Sequence, residues 1–171
     1  MKQRLTDAFF LRDVLEVAPE LPGKLICLPG NRSYGITEVE AYRGEEDLAC
    51  HARHGLTRRN AIMYAQGGVV YMYFVYGMHW MMNIVCSTKN DPQAVLIRAV
   101  EGAGGPGKLT RLLGLDGSYN GVSLVHSGRI WLEDGSIPGK ISVTPRIGID
   151  YAPEPWKSMP WRFVASGIKA L

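Results

Sequence analysis

Cysteine is scarce in this 171-residue chain, and its three copies are poorly placed for bridging. Cys27, Cys50 and Cys86 are odd in number and share no paired spacing, which argues against a disulfide framework and for reduced, intracellular thiols. No charged segment followed by an apolar run opens the chain, so a secretory signal is not expected. A clean membrane span is missing too. The most apolar stretch, Gly67 to Cys86, holds three tyrosines, His79, Asn83 and a central Gly77, which suits strands better than a spanning helix. Internal repeats, linkers and low-complexity runs are absent. The formal net charge of +3 is mildly basic, compatible with nucleic acid without pointing to it.

What is present is an ordinary globular composition, 46% hydrophobic and 20% charged, at a length that suits one domain (residues 1–171) around one core. Charge is uneven: residues 1–56 carry 7 Lys/Arg against 9 Asp/Glu, and residues 57–171 carry 12 against 7, so the acidic surplus lies in the first third. The pattern predicts a helix from Leu5 to Ala18, capped by Thr6 and ended by Pro19. Strands are expected over Lys24–Leu28 and Ser33–Tyr42, then over Val69–Val75 and Trp80–Ser87 around the turn Tyr76-Gly77-Met78-His79. A further strand, Ala94–Val100, leads through a glycine-rich loop to a helix over Lys108–Leu115. Short segments follow at Val122–Val125, Ile130–Glu133, Ile141–Thr144, Pro145–Ile149 and Trp161–Ala165. Neighbouring strands joined by short turns imply an α+β fold: one mixed domain, an antiparallel sheet with helices around it.

Four stretches could carry chemistry. In Thr37-Glu38-Val39-Glu40-Ala41-Tyr42, the period of two places Glu38, Glu40 and Tyr42 on one face. A solvated strand face would show the same pattern. So would an active-site wall, since glycosidic cleavage needs a carboxylate to activate water and to face a cationic transition state. Cys50-His51-Ala52-Arg53-His54 offers adjacent Cys and His without a second paired cluster, and no Pro-Cys-x-x-Cys follows; metal is therefore not expected, and a loop histidine or a base-stacking imidazole remain. Tyr71 and Tyr73 share a strand face, while Tyr76 stands at a hairpin tip where an aromatic ring cannot easily be core and could enter a base stack. Gly102 to Lys108 nearly fits a P-loop, but Leu109 stands where Ser or Thr would hold magnesium, and Pro106 removes an N–H from the cradle. Lys108 at a helix start could still grip a phosphate.

Together these stretches resemble the alkyladenine (3-methyladenine) DNA glycosylase family. Beyond those already quoted, the matching runs are Glu46-Asp47-Leu48-Ala49-Cys50-His51, Thr57-Arg58-Arg59-Asn60, Val70 to Met78, Met82-Asn83-Ile84, Val95 to Ala99, Gly105 to Leu109 and Pro145 to Ile149. Each alone is weak; in order along the chain they are specific. The resemblance implies a curved antiparallel sheet, no cofactor and no metal. It assigns Glu40 as general base and Arg98 as the arginine that helps hold the catalytic water. Tyr42, His51 and Tyr73 would sandwich the extruded base. Tyr76 would fill the gap in the duplex, and Asn83 would disfavour the exocyclic amine of normal guanine. Arg59, Lys108 and Arg146 are the candidates for contacts with the DNA backbone.

The implied partner is duplex DNA containing alkylated or deaminated purines: 3-methyladenine, 7-methylguanine, hypoxanthine or ethenoadenine. Hydrolysis of the N-glycosidic bond would leave an abasic site, and no lysine beside Glu40 suggests a lyase. The chain is expected to act as an intracellular monomer without a membrane, in the cytoplasm or nucleoid if bacterial. The alternatives are a P-loop-like nucleotide-binding protein, a carbohydrate hydrolase using Glu38 and Glu40, whose Cα atoms a strand would set roughly 6.6 Å apart, and a noncatalytic nucleic-acid-binding module.

Overall fold

A computed structural model describes residues 2–167. The expected first helix is two, α1 (Asp7–Phe10) and α2 (Val14–Glu20). The break has a cause. The Ser87 amide bonds the carbonyls of both Phe10 and Arg12, pulling residues 10–12 out of the helical ladder. The chain restarts at Asp13, whose carboxylate accepts from the Leu15 amide, while the Val14 amide donates to the Gln93 side chain. Thr6 makes no side-chain cap, and Pro19 lies inside α2 rather than ending it.

Among the described residues nine strands follow: β1 (Leu25–Leu28), β2 (Arg32–Arg43), β3 (Val70–Val75), β4 (His79–Cys86), β5 (Gln93–Val100), β6 (Ala103–Gly104), β7 (Trp131–Glu133), β8 (Lys140–Thr144) and β9 (Arg162–Ser166), with helix α3 (Pro106–Leu113) between β6 and β7. All strand pairings are antiparallel, and the main order is β3-β4-β5-β2-β1-β7. β2 is the hinge of the sheet. Its first residues pair with β1, and residues 38–40 lie between β5 on one side and β9 on the other. Two of the short segments form no strand: Val122–Val125 makes only an isolated bridge between Ser123 and Val69, and Pro145–Ile149 is irregular. Among the described residues no helix is long and apolar enough to cross a membrane.

The β2–β5 ladder contains two compensating bulges. Between the pairs Ile36–Val100 and Glu38–Ala99 the extra residue is Thr37; between Glu38–Ala99 and Val39–Ile97 it is Arg98. Bulges of this kind re-aim side chains beside functional sites. Elsewhere strict alternation sorts the sheet into two faces. Val39, Ala41, Met72, Met82, Ile84, Val95 and Ile97 bury one face in a core shared with Val14 and Val17 of α2 and Leu109 and Leu113 of α3. Burying each of the larger side chains contributes roughly 1.5–3 kcal/mol. α3 can lie this close because Gly107 sits against the His79 ring, where a Cβ would come within 2.8 Å. The other face carries the tyrosines, Asn83, Leu96, Arg98 and the two carboxylates.

The backbone disfavours the P-loop alternative. Ala103 and Gly104 pair with Val100 and Ala99, and the Gly105 amide donates to the Arg98 carbonyl, so this stretch is tied to the sheet edge rather than looped around a phosphate.

Candidate active site

A cavity of about 370 Å³ opens on the second face of the sheet, at the small end of the range for ligand sites. Its floor is Asn83, Ala94 and Leu96, its walls include Tyr42, His51 and Tyr73, and Arg98, Ile147 and Tyr76 reach its rim. Neighbouring strands place these side chains by register: Tyr71 faces Asn83, Asn83 faces Leu96, and Tyr42 faces Ala94. His51 comes from a short 3-10 turn, His51–His54, capped by the Cys50 side chain and held by the Asn60 amide, which donates to the carbonyls of His51 and Gly55. The His51 ring meets Tyr73 edge-on at 4.5 Å, and its Nδ1 lies 3.1 Å from the Tyr71 hydroxyl.

Glu40 lies behind this wall, fully buried, and touches three residues that line the cavity. Its Oε1 accepts from the Ile147 amide at 2.7 Å and is 3.4 Å from Arg98 Nε; its Oε2 accepts from the Tyr42 hydroxyl at 2.9 Å. Burial raises the Glu40 pKa, and Arg98, the Ile147 amide and the Tyr42 hydroxyl oppose that rise without cancelling it. Glu38 is differently placed. Its Oε1 accepts from both Arg98 and Arg162, at 2.9 and 2.6 Å, so the two carboxylates are not the matched pair a carbohydrate hydrolase would present. The aromatic walls are neutral around pH 7. Burial pushes the Tyr42 hydroxyl well above its ordinary range and Tyr71 up to about 12. His51 falls to about 4, mainly through burial, with Arg59 and Arg53 adding to the effect.

The structure therefore brings Glu40, Tyr42, His51, Tyr73, Asn83 and Arg98 around one cavity. Asn83 is buried and donates through Nδ2 to the Tyr71 carbonyl. Tyr76 stands at the tip of the β3–β4 hairpin, 87% exposed. Both Tyr76 and Gly77 have positive φ, 52° and 65°, and the Met78 amide closes the turn on the Val75 carbonyl. This is the backbone twist that tight hairpins prefer, adopted at Tyr76 by a residue for which it is strained. Arg59 is exposed near this tip and donates to the Phe74 carbonyl, and Lys108 is exposed on the first turn of α3.

Arg146 corrects the sequence-based expectation. It does not face DNA: its side chain is wholly buried and bonded to both oxygens of Asp47, to the Ala41 carbonyl and to the Trp156 carbonyl. Its guanidinium stacks between the Tyr42 and Trp161 rings, at 4.7 and 5.0 Å, and so backs the cavity wall from behind. The candidate ligands Cys50, His51 and His54 have other employment: Cys50 caps its turn, His51 contacts Tyr71, and His54 accepts from Arg53. Sequence reasoning gave no role to Asp47, Ile147 or Arg162. All three act through partners 99 to 124 residues away, and no local pattern signals such contacts.

A family model described as methylpurine-DNA glycosylase matches residues 8–104 and 102–169. A protein of Methanocella arvoryzae provisionally named 3-methyladenine DNA glycosylase is 42% identical over 178 residues, covering 91% of this chain and 88% of its own. Proteins with the same provisional name from Chlamydia abortus and Borreliella burgdorferi are 42% and 40% identical, covering 94% and 91% of this chain and 97% and 92% of theirs. On both the family match and these relatives, the chain belongs to the methylpurine-DNA glycosylase family.

Proposed function

We propose that this protein extrudes alkylated or deaminated purines from duplex DNA and hydrolyses their N-glycosidic bond, with Glu40 activating the water. The observation that carries the proposal is the Glu40 carboxylate, buried and held by the Tyr42 hydroxyl, the Ile147 amide and Arg98 at the edge of a neutral aromatic cavity. A carboxylate can accept about four hydrogen bonds; Glu40 is closed to solvent in the free protein, and its present partners leave acceptor capacity for a water admitted with the substrate. As the oxygen of that water bonds to the anomeric carbon, the bond to the purine breaks, the electron pair leaves with the base, and Glu40 takes the proton. Its negative charge also faces the oxocarbenium-like transition state. Arg98 steadies the water.

Tyr42 on one side, and His51 with Tyr73 on the other, would hold the base. Cationic lesions such as 3-methyladenine gain from electron-rich rings, and a neutral His51 adds no opposing charge. Tyr76 would occupy the gap in the duplex, which offsets part of the few kcal/mol of unstacking. Arg59 and Lys108 would contact phosphates. Single-turnover excision on a hypoxanthine duplex tests the proposal. Wild type should release free base, and Glu40→Gln should be slower by about a hundredfold to ten-thousandfold while still binding damaged DNA. Excision by Glu40→Gln within a few-fold of wild type would remove Glu40 from this role.

A further inference from the structure

Glu40 belongs to a row of four side chains, basic and acidic in alternation, across three strands: Arg162 on β9, Glu38 on β2, Arg98 on β5 and Glu40 on β2. One oxygen, Glu38 Oε1, accepts from Arg162 Nε at 2.6 Å and from Arg98 Nε at 2.9 Å, while the same Arg98 Nε is 3.4 Å from Glu40 Oε1. Arg162 stands opposite Glu40 in the β2–β9 register, yet its guanidinium passes Glu40, reaches Glu38 and also donates to Thr144 Oγ1 at 3.0 Å. The bulge at Arg98 sets one guanidinium between two carboxylates. Arg98, Glu38 and Arg162 are only 16–21% exposed, so water screens the row incompletely.

We propose that Glu38 and Arg162 are a positioning pair: they divide Arg98 between two carboxylates and so set the pH at which Glu40 becomes a base. The inference rests on the reading of Glu40 as the general base. Glu38 draws Arg98 toward itself and adds a like charge near Glu40, and both effects keep a proton on Glu40. Arg162 restrains Glu38 by neutralising part of its charge. The two members of the pair therefore act on Glu40 with opposite sign. Other groups facing Glu40 are Tyr42 on β2, Tyr73 on β3, and the Ile147 amide with Arg146 behind Tyr42. Substitutions at Glu38 or Arg162 leave these in place, so their contribution is common to every variant.

The test follows the pH dependence of single-turnover excision for wild type, Glu38→Gln, Arg162→Gln and Arg162→Lys on one hypoxanthine duplex. The Glu40 carboxyl carbon is titrated in parallel by NMR in glutamate-labelled protein, assigned by its loss in Glu40→Gln. In Glu38→Gln both the acid limb and the Glu40 midpoint should move down by about half a unit or more, and in Arg162→Gln both should move up by a similar amount. Arg162→Lys, which keeps the cation, should return most of the way to wild type. A purely structural role would lower the rate or the melting temperature without moving either midpoint. Shifts in the same direction for Glu38→Gln and Arg162→Gln, or none in variants that melt cooperatively, would overturn the inference. Should Arg162→Gln fail to fold, the downward shift of Glu38→Gln decides. If wild type releases no base at all, the general-base reading fails, and the NMR midpoints still decide whether the row acts as stated.

Discussion

At the scale of single residues, Glu40 works against the fold it sits in. Burial raises its pKa above the ordinary 4.5, so the folded protein holds that proton more tightly than the unfolded chain does. Its stabilising contribution is fully present below the unfolded pKa and is lost as pH rises through the folded value. Glu40→Gln has no such dependence. Its melting temperature should therefore gain on wild type above the folded pKa, by about 2–4 °C per kcal/mol for a chain of this size, and the gain should shrink toward pH 4.5. Thermal melts across that range check the sign; a gain that grows on acidification would contradict it. Asn83 is the second residue with a direct readout. Its amide is fixed on the Tyr71 carbonyl at the cavity floor, so Asn83→Ser should clear space there and raise excision of guanine-type relative to adenine-type bases. Unchanged relative rates across the two substrate types would count against that role. Glu40 was visible in the sequence because period-two alternation puts it on the face of Tyr42, and Asn83 only through the family resemblance. Arg162 was not, because its contact with Glu38 spans 124 residues.

Among the elements, the β3–β4 hairpin separates strain from function. Tyr76 holds a φ of 52° that glycine would adopt freely. Tyr76→Gly should therefore leave stability unchanged or raise it by up to about 1 kcal/mol, while lowering the flipped fraction of an ethenoadenine probe read by fluorescence. Equal flipping by the two proteins would make the tip merely structural. The segment 145–151 is the opposite case. It lacks strand pairing, yet it presents the Ile147 amide to Glu40 because Arg146 anchors it on Asp47 in the interior. Asp47→Ala leaves that guanidinium uncompensated and should cost roughly 3–5 kcal/mol in urea unfolding; a loss under 1 kcal/mol would show that the pair does not hold the segment. The role of Arg146 was misread for a physical reason: a candidate contact with the DNA backbone is instead an interior anchor, and the deciding partner is 99 residues away. The first helix failed similarly, since its break is imposed by the Ser87 amide. β2 through β5 were legible because their alternation and turns are local.

Across the whole molecule, the exposed cations bear on how DNA would be held. Arg59 lies near the hairpin tip and Lys108 on the first turn of α3, both at the surface. If each neutralises one phosphate, Arg59→Ala and Lys108→Ala should each reduce the slope of log K against log salt by about 0.9 without altering the unfolding midpoint; unchanged slopes would place the backbone contacts elsewhere. The cavity itself draws on distant parts of the chain, with Glu40 from β2, Arg98 from β5 and Ile147 from the segment before β9. One bond ties the ends of that span together: the Ile147 amide on Glu40 Oε1, across 107 residues. That amide is a proton clock for the site. Its exchange with deuterated solvent slows only when the far segment has docked on β2, and its nitrogen and proton frequencies shift with the charge on the oxygen it touches. A single backbone resonance thus reports, without substrate or label at the site, both the assembly of the pocket and the ionisation of Glu40.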